Sequence, residues 1–71
     1  MMPLTQVHAG EQTKIRKIGG KPEIKKHLEN LGFSEGENVA VLTMMSGNII
    51  ARVKESRIAL GKEMAHIILV H

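Results

Sequence analysis

The sequence has no cysteine, no tryptophan, no tyrosine and no aspartate, and Phe33 is its one aromatic residue among 71. Without cysteine, disulfides, iron–sulfur clusters and thiolate zinc sites are excluded, and the chain fits a reducing, cytoplasmic setting. Without further aromatics, the core must be built from Ile, Leu, Val and Met around Phe33. Long apolar runs are missing too: a run such as Ile67 to Val70 is far short of the ~18 residues a membrane span needs. Met1 to Ala9 has no basic stretch followed by an apolar one, so it does not read as a secretory signal. The expectation is a cytoplasmic protein with no direct membrane insertion.

What is present suits one small unit, 1–71, since domains run from about 50 to 250 residues. A core of this size rarely supplies more than roughly 3–5 kcal/mol. The net charge is +3, from ten Lys and Arg against seven Glu. The signs are interleaved: Glu23 stands near Lys25 and Lys26, and Glu55 separates Lys54 from Arg57. Such mixing describes a solvated surface rather than a basic arm for nucleic acid.

Thr13 to Ile18 reads as a strand whose β-branched residues do not alternate strictly, which points to a bulge or bend. Gly19-Gly20 ends it in a turn. Lys21 to Leu31 reads as a helix. Pro22 suits its first position, Glu23 its first turn, and Ile24, Leu28 and Leu31 form one apolar stripe. Gly32 stands where a left-handed residue ends a helix, with Phe33 placed to fold back on the stripe. Asn38 to Met45 and Asn48 to Lys54 read as a hairpin joined at Ser46-Gly47. Ser56 to Leu60 is a further strand, 62–66 a short helical turn, and Ile67 to Val70 a closing strand. The fold class expected is mainly β: a five-stranded SH3-like barrel, closed or nearly so, with an OB-fold ranked second because its helix falls later in the chain.

Catalytic machinery is not legible. Gly19-Gly20-Lys21-Pro22 has the composition of a phosphate loop without its spacing, and Ser34, Ser46 and Ser56 have no histidine beside them for activation. His8, His27, His66 and His71 are scattered, with no i, i+4 pair. His8 with Glu11, or His66 with Glu63, supplies at most part of a metal site, which needs three convergent ligands. No cofactor and no metal site are therefore expected. Nucleic acid is not expected as a partner either: single-strand binding relies on aromatic platforms, and groove reading on a basic helix that Glu23 and Glu29 dilute here.

The informative surface is apolar. On 38–45, Leu42 and Met44 are opposite in phase to Val39 and Val41; on 48–54, Ile50 shares a face with Arg52 and Lys54. Two readings stay open. Leu42, Met44, Ile50 and Arg52 form an outward partner-binding stripe, or else the strand bulges or the short terminal segments cover them.

Taken together these pieces resemble the FeoA family along nearly the full length. Leu4 with Ala9-Gly10 precedes the first strand. Leu28, Leu31-Gly32-Phe33 and Gly36 are similar to the family's L-x-x-L-G helix end. Ile58-Ala59-Leu60, Glu63, Ala65 and Ile67-Ile68 look like its closing segment. The turn at 46–48 is shorter than the proline-containing loop of many members, and Gly61 stands where a basic residue is common. The resemblance implies a non-catalytic cytoplasmic protein of iron transport that acts with FeoB, a membrane permease with a GTP-binding domain. Similar SH3-like domains close the iron-dependent DtxR-type repressors, which gives a regulatory, transcription-associated barrel as the alternative. The start at Met1, with no helix-turn-helix region before it, favours the free-standing form.

Overall fold

The computed structural model describes residues 1–71. The chain runs β1 (Met2–Pro3), a 3-10 turn (Leu4–Gln6), β2 (Gln12–Ile18), α1 (Pro22–Leu31), β3 (Asn38–Met45), β4 (Asn48–Val53), β5 (Ser56–Leu60), α2 (Lys62–His66) and β6 (Ile68–Val70). The strands form one antiparallel sheet in the order β1-β6-β2-β3-β4-β5.

β2 makes the sheet turn a corner. Its first part, Gln12 to Lys14, pairs with β3, and its second, Ile15 to Ile18, pairs with β6. The register shifts between Ile15 and Lys17, so Arg16 is the extra residue of a bulge, which bends a strand and increases its twist. The broken alternation at 13–18 has this as its cause. The expected five-stranded barrel, closed or nearly so, needs correction on two points. There are six strands, because Met2–Pro3 pairs with β6 through Val70 and Leu69. The sheet is also open, since β1 and β5 are its two edges and do not pair with each other. A two-residue strand shows no periodicity, which is why it is invisible in the sequence.

α1 begins on Pro22 with Glu23 in its first turn and ends at Gly32, whose φ is 109°. Gly32 N–H donates to Glu29 and Phe33 N–H to Leu28, the paired bonds of a Schellman ending. They return Phe33 to Leu28, and both side chains are fully buried. A Cβ on Gly32 would stand 3.3 Å from Val53 Cγ1. Gly32→Ala is therefore expected to cost about 1–2 kcal/mol for the left-handed backbone alone. Each kcal/mol lowers Tm by roughly 4–8 °C in a domain of this size, a change that calorimetry reads directly.

Fifteen apolar residues make one core cluster, and Ile24, Leu31, Met44, Ile58, Met64 and Ile67 pack against it. No polar or charged residue is buried. The ionisable groups are therefore presented at the surface. The ion pairs Lys25–Glu35 (3.6 Å) and Lys54–Glu37 (3.9 Å) are both solvent-facing and add little stability.

Candidate docking face

The face in question is the outer side of β3, β4 and β5. β3 and β4 meet at a two-residue turn in which Ser46 has φ 53° and Gly47 φ 85°. Positive φ at both positions is the type I′ geometry that suits the twist of a hairpin. The tip is held from below: Asn48 Oδ1 accepts a hydrogen bond from the Lys62 backbone N–H at 3.0 Å, satisfying a free donor at the start of α2. The hairpin is thus braced against the rest of the molecule.

A second bulge decides what this face carries. Val41 pairs with Ala51, but the next pair is Thr43 with Ile50, so Leu42 is the extra residue on β3. An inserted residue reverses the phase of everything after it. Before the bulge Val39 and Val41 point into the core; after it Met44, opposite Ile49, does so.

Of the four residues expected on an outward stripe, the structure places two there. Ile50 is 42% exposed and Arg52 is exposed beside it on β4. Met44 is a correction: the Leu42 bulge turns it inward, where it is half-buried against the core. Leu42 sits half-buried at the bulge itself. Met45, 72% exposed, and Ala59, paired with Ile50, belong to the face and were missed in the sequence. Alternation from Val39 onward assigns Met45 to the wrong side, and the bulge left open in the sequence reading corrects this only once it is placed at Leu42. Thr43, Met45, Ile50 and Ala59 line a shallow, mainly apolar hollow of ≈ 390 Å³.

One row further along β4 the chemistry changes. Arg52 is directly opposite Arg57 on β5 and opposite Ala40 on β3, which is in turn opposite Gln12 on β2. The face therefore reads as an aliphatic row next to a basic one. The histidines do not join it. His8 N–H donates to Glu11 Oε1 at 3.0 Å within a tight turn, a use of Glu11 that is structural. The His71 carbonyl accepts a hydrogen bond from Thr13 Oγ1. His27 and His66 are exposed on α1 and α2. No three His or carboxylate side chains converge anywhere in the chain.

The FeoA domain model matches residues 2–71. The chain belongs to the FeoA family. It is 30% identical over 70 residues to an Fe(2+) transport protein A of Methanocaldococcus jannaschii, covering 99% of this chain and 85% of that protein. Family membership connects it to ferrous iron transport. A crystal structure described as an iron uptake regulatory protein (FeoA) matches with a TM-score of 0.89 and 30% identity, covering 99% of this chain and 93% of that one. The FeoA of Stenotrophomonas maltophilia, described as a prokaryotic SH3 domain protein in complex with zinc, matches at TM-score 0.81 and 21% identity over 100% of this chain and 91% of that one. That likeness shows that the FeoA fold here is SH3-like. The same fold recurs within a manganese-dependent transcriptional repressor, where 96% of this chain covers 39% of the repressor at TM-score 0.87 and 21% identity.

Proposed function

We propose that this FeoA-family chain is a non-catalytic accessory of ferrous iron uptake that binds the cytosolic part of a FeoB-type permease through the outer face of β3–β5. The observation that carries the reading is the family match over residues 2–71. Ile50 and Met45, both exposed and diagonal neighbours across a braced hairpin, support placing the contact there, because apolar side chains presented together are what a protein partner covers. No helix is long and apolar enough to cross a membrane. In this reading the chain is cytoplasmic and reaches the inner membrane only through its partner.

Isothermal titration of the chain with the cytosolic domain of its cognate FeoB tests this. Saturable one-site binding is expected, weakened at least tenfold by Ile50→Glu, with an unchanged circular dichroism spectrum. Absence of binding would remove FeoB as the partner. The repressor-like alternative draws on the shared fold with the manganese-dependent repressor. It predicts a salt-dependent affinity for duplex DNA, since phosphate contacts release counterions. On the FeoB reading, duplex DNA gives no such affinity.

A further inference from the structure

Arg52 and Arg57 face each other directly across β4 and β5. Like charges in that position destabilise a sheet, and neither arginine takes part in either of the molecule's ion pairs, Lys25–Glu35 and Lys54–Glu37. The doublet is next to the aliphatic row of Ile50 and Ala59, and its Arg57 stands on the last strand of the sheet. β5 pairs with β4 alone. No backbone group of Ser56 to Leu60 bonds outside that ladder, so every second N–H and C=O of the strand is open on its far side.

We propose that β5 is an acceptor edge for an extended acidic segment of a partner protein, which adds a seventh strand with a carboxylate beside Arg57 and an aliphatic side chain, two residues away, beside Ala59. Residues i and i+2 of a strand share one face at about 7 Å spacing, which matches the step from Arg57 to Ala59. The arginine fork binds carboxylate in a bidentate manner, and open sheet edges take peptides by main-chain pairing. The charge selects the occupant. A second copy of the chain, pairing through its own β5, would bring a second Arg52–Arg57 doublet to the same face. A single-stranded nucleic acid would need aromatic platforms, and the one aromatic, Phe33, is fully buried. The proposal deepens the FeoB reading by naming the chemistry of the segment that docks.

The test uses the full chain, ¹⁵N-labelled, with three titrants: the FeoB cytosolic domain, an octapeptide of alternating Glu and Val, and its Lys–Val counterpart. The FeoB domain and the Glu–Val peptide are expected to shift amides of Ser56–Leu60 and Ile50–Arg52 and to slow hydrogen exchange in β5 at least tenfold. Arg52→Glu and Arg57→Glu each weaken both interactions at least tenfold without lowering Tm, because a reversal turns a repelling pair into an attracting one. The double reversal gains affinity for the Lys–Val peptide. FeoB binding that is indifferent to the folded reversals, or that leaves β5 exchange unchanged, overturns the acceptor edge and leaves the FeoB reading standing. Silence with FeoB alongside peptide binding at β5 does the opposite. Duplex DNA shifting the same amides more strongly than the Glu–Val peptide would show a polyanion site and overturn the proposal.

Discussion

Phe33→Ala is expected to leave the chain largely unfolded at 25 °C. Truncating a buried Phe removes roughly 3–5 kcal/mol, through lost transfer energy and the cavity left behind. A core of this size supplies about that much in total. Phe33 is the largest of the fully buried side chains. No other ring is present to collapse into its place. Its position is also fixed twice, by the core around it and by its N–H bond to the Leu28 carbonyl at 2.9 Å. Circular dichroism with urea titration reads the outcome: no cooperative transition for Phe33→Ala, and a weakened but cooperative one for Phe33→Leu, which keeps most of the volume. A Phe33→Ala variant as stable as the parent would mean that the helix end does not lock α1 to the sheet.

The second large effect is a contrast between two strand residues that alternation would treat as equals. Met44→Glu is expected to cost about 2 kcal/mol, because it strips a core-packed side chain and brings a carboxylate toward an apolar interior. Ile50→Glu should stay within about 0.5 kcal/mol, as exposed substitutions usually do. Thermal unfolding of the two variants decides the matter. The contrast depends wholly on Leu42 being the bulged residue. With unbroken alternation from Val39, Met44 would point outward and its substitution would be as harmless as that of Ile50. Equal melting temperatures would therefore contradict the register.

That register marks the boundary of what the residues reveal on their own. α1 was legible because three independent signals agree on it: Pro22 at its start, the Ile24–Leu28–Leu31 stripe, and Gly32-Phe33 at its end. The hairpin was legible because Ser46-Gly47 supplies the backbone angles its turn requires. The bulge at Arg16 was signalled by β-branched residues out of phase. A bulge on β3 was one of the readings left open, but its place at Leu42 was not legible, because Leu42, Thr43, Met44 and Met45 are each tolerable on either face. The sixth strand was hidden by its length. The candidate face was half visible: Ile50 and Arg52 follow from the clean alternation of β4. Arg57, however, becomes the neighbour of Arg52 only through the register of β4 on β5, set by a Lys54-Glu55 turn with no glycine to announce it. Lys54 adopts φ 56° there, a conformation that non-glycine residues seldom take up.

The proposed docking surface of this FeoA-family chain is the outer face of β3–β5. Chemical-shift mapping of the ¹⁵N-labelled chain against the cytosolic domain of its cognate FeoB tests it most directly. The account predicts saturable shifts at Thr43, Met45, Ile50, Arg52 and 56–60, with α1 and β6 unmoved. Shifts centred on α1 or on the β1–β6 edge, with β4 and β5 silent, would contradict it.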